Sequence, residues 1–410
     1  CIGPANAVDS YLNVQEVLSA AIVTKAEAIH PGFGFLSENS RFASMCEECN
    51  ITFIGPKSAT IDAMGNKINA RQLMQEANVP VIPGSTGVLS TVEEALEIAD
   101  RIGYPVMLKA AAGGGGKGIR KVQSKEELPQ HFSSAQQEAA AAFGNDDMYL
   151  EKIIYPARHI EVQILGDHFS NVIHLGERDC SLQRNKQKVL EESPSVVISQ
   201  TKREALGDAA VRAAKAVNYE NAGTIEFLMD EEGDFYFMEM NTRIQVEHPV
   251  TEMVTGIDVV KKQVEIAAGE PLNVCQEEVV FQGHAIECRI NAENPAFHFA
   301  PSPGKIQNLL LPAGGMGLRV DSAVYPGYTI PPYYDSMIAK IIVHGNTRFE
   351  ALMKMQRALS EFITEGIITN AEFQMDLISH PSVIAGDYST AFLQEEFLPN
   401  WTPETEIGGA

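Results

Sequence analysis

Five polar side chains at strict two-residue spacing offer the clearest chemistry in this chain: Glu239, Asn241, Arg243, Gln245 and Glu247. They follow the apolar run at 235–238, so a strand that stayed extended would turn all five onto one face. Two carboxylates, two amides and a guanidinium on one face are costly unless they hold something charged. A carboxylate pair with an amide suits Mg²⁺, whereas arginine with glutamine suits a small oxyanion. The spacing therefore predicts an active site, and a solvated sheet face is the alternative.

A further carboxylate, Glu226, interrupts the otherwise apolar strand pattern at 224–229. A neighbouring strand would bring this side chain beside Glu239 and Asn241. Because a buried lone glutamate is rare without a partner, the pattern favours a metal ion shared by these three side chains.

Four consecutive glycines at 113–116 follow a predicted strand that ends at Lys109. Their backbone entropy disfavours a helix or strand interior, whereas their bare N–H groups can enclose phosphate oxygens beside Lys109 and Lys117. The GxxxxGK[ST] spacing of a P-loop is absent. We interpret the run as a phosphate-binding loop, with a flexible linker as the alternative.

Other candidates stay open on the residues alone. The charged segment 177–188 is either a solvated loop or the basic wall of a pocket. Residues 151–154 lie at a predicted hinge, where backbone groups could hold a nucleotide base. His159 and His248 are each compatible with a structural role, and the CxxC spacing at 46–49 stands without a second ligand pair.

Composition indicates an ordinary globular protein of two or three domains, with 410 residues, 45% of them hydrophobic and 21% charged. The net charge of −23 argues against nucleic acid and anionic membrane as partners. No apolar run approaches the roughly 20 residues that span a bilayer. Six scattered cysteines predict a reducing compartment, the cytoplasm.

The periodicity predicts three regions along the chain. The first is the trailing half of a doubly wound α/β domain, with a glycine-rich loop at 30–39. The second has a helix over 66–77, a small α/β lobe at 80–155, and strands at 159–165, 171–176, 223–229 and 234–240. The second region ends with a helix over 252–268. The third contains a mainly β stretch at 282–345 and a helix over 347–363.

Four ordered motifs resemble the ATP-grasp enzymes, and among them the biotin carboxylases: HPGFGFLSEN at 30–39, ERDCS at 177–181, RIQVEHPV at 243–250 and PYYDSM at 332–337. The similarity runs from Cys1 to about Trp401. It implies an α/β and α+β multidomain ATP-grasp fold, with a doubly wound N-terminal domain lacking its first β–α unit and a β-rich C-terminal domain. The implied boundaries are 1–65 for the partial N-terminal domain, 66–281 for the ATP-grasp domain with its lid lobe at about 80–155, and 282–400 for the C-terminal domain.

The resemblance also implies roles for individual residues. ATP would be bound by Lys67, Lys109, Gly115, Gly116, Glu151, Lys152, Ile153, Ile154, His159, Gln183 and Lys186. Mg²⁺ or Mn²⁺ would be held by Glu226, Glu239 and Asn241. Bicarbonate would be seated by Lys188, Arg243, Gln245 and the backbone of Val246. Glu247 would deprotonate bicarbonate, and Arg319 would face the ureido oxygen of biotin.

The implied reaction is the ATP- and bicarbonate-dependent carboxylation of biotin through carboxyphosphate. The sequence has no Ala-Met-Lys-Met biotinyl motif, so it is most similar to the stand-alone bacterial subunit that serves acetyl-CoA carboxylase in fatty-acid synthesis. Biotin would then arrive on a separate carrier protein, and the other implied partners are carboxyltransferase subunits and a second copy of the chain in a homodimer. The alternatives are the biotin carboxylase part of a pyruvate or acyl-CoA carboxylase, another ATP-grasp ligase, and a non-catalytic nucleotide-binding module.

Overall fold

The computed structural model describes residues 1–111 and 118–403. Within these ranges the helices are α1 (Val14–Thr24), α2 (Ser40–Glu48), α3 (Ser58–Gly65), α4 (Lys67–Glu76), α5 (Val92–Ile102), α6 (Leu128–Phe143), α7 (Gln200–Ala216), α8 (His248–Thr255), α9 (Val259–Ala267), α10 (Arg348–Glu361), α11 (Ala371–Ser379), α12 (Pro381–Ala385) and α13 (Leu398–Asn400). In this described part of the chain, no helix combines the length and apolarity needed to cross a membrane.

The strands in the same ranges are β1 (Ala28–Ile29), β2 (Thr52–Phe53), β3 (Val106–Ala110), β4 (Ile119–Val122), β5 (Met148–Lys152), β6 (Arg158–Gly166), β7 (Val172–Arg184), β8 (Gln187–Ser193), β9 (Asn221–Met229), β10 (Phe235–Asn241), β11 (His284–Asn291), β12 (Glu293–Asn294), β13 (Ala300–Pro301), β14 (Gly304–Lys305), β15 (Asn308–Leu310), β16 (Leu318–Ser322), β17 (Thr329–Ile330), β18 (Met337–Gly345) and β19 (Ile363–Glu365).

An eight-stranded sheet in the order β10-β9-β6-β7-β8-β11-β18-β16 forms the centre of the structure. All of its strand pairs are antiparallel. Because β8 pairs with β11, strands from the ATP-grasp segment and the C-terminal segment belong to one sheet. The lid lobe contains the three-stranded sheet β4-β3-β5, and the N-terminal segment contains the parallel pair β1-β2.

Strand β6 shows how the sheet presents polar groups. Ile160, Val162 and Ile164 are buried in a core that includes the alanine-rich face of α7. Period two therefore turns the polar residues at 159, 161 and 163 to the opposite side of the sheet. The small side chains of α7, such as Ala210 and Ala213, allow close packing on the apolar side. The other side is left for a polar site.

The polar stretch at 239–247 is not one extended strand, contrary to the spacing prediction. Strand β10 ends at Asn241, and its pairing with β9 shifts register between Phe237 and Glu239. Residues 242–247 form a loop that leads into α8, which has a proline in its first turn. Both sets of alternating residues still become largely buried, because the loop folds over the sheet.

The predicted helix over 252–268 is also wrong, because it is two helices. Helix α8 ends at Thr255, its C-cap Gly256 adopts a left-handed conformation with φ 71°, and α9 begins after the N-cap Asp258. Glycine tolerates this conformation without a Cβ clash. As a result α9 buries Val259 and Ile266, while Val264 is half exposed.

Glu192 on β8 anchors the C-terminal helices to the sheet. Its buried carboxylate accepts hydrogen bonds from His284 Nε2 at 2.5 Å, Arg348 Nε at 2.7 Å and the Tyr388 hydroxyl. Burial alone would raise the pKa of Glu192, but the hydrogen bond from His284 and the charge of Arg348 lower it to about 2. A lowered pKa stabilises the fold above the unfolded-state value, and this contribution is lost as the pH falls toward 2.

We expect Glu192→Gln to destabilise the protein at neutral pH by about 1.5–3 kcal/mol, the usual loss for hydrogen bonds to charged groups. The difference from the wild type should shrink below about pH 4, where the unfolded wild type also binds a proton. Thermal melts from pH 3 to pH 8 measure both effects. A melting difference independent of pH would show that the charge of Glu192 does not contribute.

Candidate active site

A row of charged side chains crosses four neighbouring strands of the central sheet. Glu239 on β10 is paired with Glu226 on β9. Glu226 is in turn paired with Glu161 on β6, and Glu161 with Arg178 on β7. Directly paired residues project to the same side of a sheet. Spacing predicted the two glutamates of β9 and β10, whereas Glu161 and Arg178 were missed, although polar residues alternate at 159, 161 and 163.

Lys188 on β8 reaches the centre of this row. Its Nζ lies 2.5 Å from Glu161 Oε2, 2.9 Å from Glu226 Oε1 and 2.6 Å from Glu247 Oε1. Burial by itself lowers the pKa of Lys188, but the three surrounding carboxylates raise it well above its ordinary value. The ammonium group therefore stays charged at any physiological pH.

Glu247 lies in the loop directly before α8 and is buried. One carboxylate oxygen contacts Lys188, and the other lies 3.0 Å from Arg289 Nη2. Burial raises the pKa of Glu247, but Lys188, Arg289 and Arg178 together hold it well below the usual range. The group is therefore an ionised carboxylate between two cations.

Arg289 on β11 was not among the predicted residues, and the resemblance assigned the biotin-facing role to Arg319 instead. Arg289 Nε also donates to Glu191 Oε1 at 2.7 Å, so its guanidinium joins Glu191 to Glu247. Charged residues at 287 and 289 alternate with apolar residues within β11, and this alternation could have identified Arg289 as a candidate.

Arg319 on β16 occupies a different environment. Among the described side chains, its guanidinium contacts Glu252 Oε2 at 2.6 Å and Asp321 Oδ1 at 2.8 Å rather than Glu247. It lines an open cavity of about 580 Å³ together with residues of α9. The structure thus does not bring the predicted biotin-facing arginine against the predicted base.

The three predicted metal ligands lie together. Asn241 Nδ2 donates to Glu226 Oε1 at 2.9 Å, and Glu239 is the strand partner of Glu226. Glu239 is the most exposed of the three, with Lys67 Nζ 3.6 Å from its carboxylate. Two carboxylates and an amide oxygen form the hard donor set that Mg²⁺ or Mn²⁺ requires, so these residues fit such an ion. His159 also lies beside this group, with its Nε2 atom 2.9 Å from Glu226 Oε2.

The predicted oxyanion residues surround the same carboxylates. Arg243 Nη2 donates to Asn241 Oδ1 at 2.8 Å, and its Nε donates to Glu38 at 2.9 Å, in the glycine-rich N-terminal loop. Gln245 Nε2 donates to Glu226 Oε1 at 2.7 Å. The carbonyl oxygen of Val246 accepts a hydrogen bond from Lys340 Nζ at 2.6 Å, which fixes the loop.

The predicted nucleotide residues fall into two groups. Lys109 Nζ lies 2.5 Å from Glu151 Oε2. Strand β5 ends at Lys152, and Ile153 and Ile154 continue the chain toward the predicted hinge. Gln183 Nε2 lies 3.1 Å from His159 Nδ1, beside the charged row.

Lys67 lies apart from both groups, beside Glu239, and Lys186 joins neither group. Lys186 is exposed in the two-residue turn between β7 and β8, where it and Asn185 both have positive φ, as such hairpins require. Gly115 and Gly116 lie outside the described residues.

The structure shows the surroundings of two further candidates, His248 and the CxxC pair at 46–49. His248 Nδ1 contacts the carbonyl oxygen of Gln245 at 2.7 Å, and burial together with Lys340 lowers the pKa of His248 to about 3. It is therefore neutral and fixes the loop before α8. Cys46 is buried whereas Cys49 is exposed, and both are free thiols.

Comparison with known proteins shows similarity to biotin carboxylases along most of the chain. The family model of the biotin carboxylase N-terminal domain matches residues 1–61, the ATP-binding domain of the carbamoyl-phosphate synthase L chain matches 66–275, and the biotin carboxylase C-terminal domain matches 287–395. Biotin carboxylase 1 of Bacillus subtilis is 58% identical over 395 residues, which cover 96% of this chain and 88% of that protein. One pyruvate carboxylase subunit from Methanothermobacter thermautotrophicus is 52% identical over 394 residues, covering 96% and 80%.

Solved structures show the same architecture. The biotin carboxylase–β,γ-ATP complex from Campylobacter jejuni has a TM-score of 0.91 and 49% identity, and the match covers 96% of this chain and 87% of that one. The biotin carboxylase domain dimer of Hydrogenobacter thermophilus 2-oxoglutarate carboxylase, in complex with MgADP, ADP and bicarbonate, also has a TM-score of 0.91 and 49% identity, covering 98% and 88%. The predicted ATP-grasp fold is confirmed, and the chain belongs to the biotin carboxylase family.

Proposed function

We propose that this ATP-dependent biotin carboxylase uses bicarbonate to carboxylate biotin on a carrier protein, with Glu247 as the base that activates bicarbonate. The observation that carries the proposal is the position of Glu247, buried and ionised between Lys188 and Arg289. A proton acceptor flanked by two cations suits a small anion that must lose a proton. The bicarbonate named in the Hydrogenobacter thermophilus complex supports this ligand.

The strength of Glu247 as a base depends on its partners. Lys188 and Arg289 hold its pKa well below the usual range, and a carboxylate with so low a pKa is a poor proton acceptor. A bicarbonate ion that accepted hydrogen bonds from Lys188 would weaken the hold of this lysine on Glu247. Substrate binding would then raise the basicity of Glu247 where it is needed.

The nucleotide residues and the metal ligands support the first step. Lys109 and Lys67 would supply positive charge near the phosphates of a bound nucleotide. Glu226, Glu239 and Asn241 would hold Mg²⁺ or Mn²⁺, which would offset charge on the transferred phosphoryl group. Arg243 and Gln245 would orient bicarbonate for attack on that group. The resulting carboxyphosphate would supply the carboxyl group, and a guanidinium would stabilise the ureido oxyanion of biotin.

We further propose that the chain serves acetyl-CoA carboxylase as a homodimer in the cytoplasm, with a separate biotin carrier protein and carboxyltransferase subunits as partners. Its identity to the Bacillus subtilis biotin carboxylase supports this assignment, and the Hydrogenobacter thermophilus structure is described as a dimer. A pyruvate or 2-oxoglutarate carboxylase is the second candidate, because subunits of both are about as similar.

Phosphate release from ATP, measured with and without bicarbonate and then with free biotin, tests the proposed reaction. We expect release to require bicarbonate, and carboxybiotin to appear when biotin is added. ATP cleavage independent of bicarbonate would overturn the proposal in favour of another ATP-grasp ligase. No cleavage together with intact ATP binding would indicate a non-catalytic nucleotide-binding module. Carboxyl transfer to the cognate acceptor then separates acetyl-CoA from 2-oxo acids.

Two arginines compete for the position opposite the biotin oxyanion. The resemblance selects Arg319, whereas the geometry favours Arg289 because it contacts Glu247. We expect Arg289→Gln to lower carboxybiotin formation by roughly 10²–10³-fold, the usual loss for one oxyanion donor. Arg319→Gln is the matched variant, assayed for phosphate release and carboxybiotin in the same reaction. If only Arg319→Gln lowers carboxybiotin while phosphate release persists, Arg319 is the biotin residue.

A further inference from the structure

Two buried glutamates lie side by side on neighbouring strands, close to Arg289. Glu191 on β8 and Glu287 on β11 are directly paired across the strands, so their side chains project to the same side. Both residues have a relative exposure of 0%. Neither residue takes part in the reaction proposed above. If both carboxylates were ionised, their negative charges would repel each other at this cross-strand distance.

Most of their oxygens are not satisfied by the protein. Within the described residues, Glu191 Oε2 and both carboxylate oxygens of Glu287 are buried without a hydrogen-bond partner. Lys340 Nζ is 4.0 Å from Glu287 Oε1, and it donates instead to the carbonyl oxygen of Val246 at 2.6 Å. Two ionised carboxylates in this place would carry a large desolvation cost. A protonated carboxyl group is a donor as well as an acceptor, so one proton can join the pair.

The pair is connected to the proposed base through Arg289. The Arg289 guanidinium donates from Nε to Glu191 and from Nη2 to Glu247, and because it is planar, fixing one edge orients the other. We propose that Glu191 and Glu287 share one proton and act as positioning residues, which hold Arg289 against Glu247. This inference rests on the proposed role of Glu247.

The charged groups around Glu191 and Glu287 are consistent with one proton shared by these two carboxylates. The groups that face it are Arg289 on β11, Lys188 on β8, Lys340 on β18, Asp321 and Arg319 on β16, and Glu247, His248 and Glu252 at α8. The opposite face of β11 packs its apolar residues and Cys288 against α10 and α11. Burial raises the pKa of Glu191 to about 7, although Arg289 opposes the shift. Burial also raises the pKa of Glu287 well above its ordinary value, against the charge of Lys340.

A shared proton makes the stability of the fold depend on pH in a specific direction. A carboxyl group with a raised pKa stabilises the folded state fully below the unfolded pKa, and loses that contribution as the pH rises through the folded pKa. Glu287→Gln places a neutral group of the same size in this position. Its melting temperature, relative to the wild type, should therefore rise progressively from about pH 5 to pH 8, and it should level off once the pH exceeds the folded pKa.

Glu192→Gln is the matched control, because Glu192 is the next residue on β8, is equally buried and has a lowered pKa. Its melting temperature should lie below that of the wild type across the same pH range. If the difference between Glu287→Gln and the wild type is constant or falls with pH, the shared proton does not exist and the proposal is overturned. This thermal measurement does not depend on which residue activates bicarbonate.

Activity tests the positioning role. Glu191→Gln removes the charge that orients Arg289, so kcat for bicarbonate-dependent phosphate release should fall by roughly 10²-fold, the effect of a small misplacement near the reacting atoms. The KM for ATP should stay constant, because the nucleotide residues are elsewhere, and Glu191→Asp should restore part of kcat. A proportional change in both kcat and the KM for ATP, with no rescue, would overturn the positioning role. If Glu247→Gln keeps full activity while the thermal result holds, the base assignment fails and the shared proton stands.

Discussion

Glu247→Gln is expected to lower bicarbonate-dependent ATP cleavage by roughly 10²–10⁴-fold, the range that a general base contributes. The amide has the size of the carboxylate but cannot accept a proton from bicarbonate. The fold should persist, because both flanking cations keep other carboxylates. Lys188 retains Glu161 and Glu226, and Arg289 retains Glu191.

The pH dependence of the wild type provides a second measurement. Because the pKa of Glu247 is held well below the usual range, it stays ionised in the free enzyme throughout the physiological range. The acid limb of kcat/KM should therefore not report Glu247. Glu220→Gln is a suitable control, since Glu220 is ion-paired with Lys57 and His168 outside the charged row. Equal activity of the Glu247 and Glu220 variants would contradict the assignment of the base.

Local spacing predicted the part of the site that lies on adjacent strands. Glu226 and Glu239 belong to β9 and β10, which are neighbours in the sequence and in the sheet, and a short connection makes such strands pair. Because Glu226 is a carboxylate within an otherwise apolar strand, the sequence indicated that it lies beside Glu239 and Asn241 on the neighbouring strand. For this reason the proximity of the three residues predicted as metal ligands could be inferred from the residues alone.

Contacts between distant segments could not be predicted in the same way. Glu161 and Arg178 enter the site because β6 lies between β9 and β7, and Arg289 because β8 pairs with β11. Periodicity assigns a residue to a face of its strand but does not tell which strand is the neighbour. The charged residues at 161, 178 and 289 can be read from the sequence, but the sequence does not show that they lie at the same site.

Breaks in regular structure were a second source of error. The strand β10 ends at Asn241 and the helix α8 ends at Thr255, just before Gly256, in both cases inside a segment with continuous periodicity. A single glycine or a register shift interrupts an element without changing its apolar pattern. The loop at 242–247 depends on such a break, because it carries Glu247 from the end of the sheet to the start of α8.

Arg178→Met is expected to give the largest loss of stability, about 3–5 kcal/mol, as when one partner of a buried charge cluster is removed. Arg178 is fully buried, and its guanidinium donates to Glu161, to Gln163 and Gln245 at 2.8 Å, and to Thr251 and Thr224 at 3.0 and 3.1 Å. Methionine fills much of the same volume but makes none of these hydrogen bonds. Four neutral polar side chains and one carboxylate would therefore lose a partner.

The matched control for this variant is Arg357→Met, because Arg357 is a half-exposed arginine on α10 paired with Glu361 in the next turn. Such a surface ion pair contributes little to the free energy of unfolding, so the melting temperature of Arg357→Met should stay close to that of the wild type. Arg178→Lys should recover only part of the loss, since an ammonium group cannot reach five acceptors in the directions that a guanidinium does. Gln245 would also lose the contact that fixes its amide, and bicarbonate-dependent activity should fall even below the melting temperature. If Arg178→Met melts no lower than Arg357→Met, the buried guanidinium does not organise the charged row, and the position of Gln245 must depend on the loop alone.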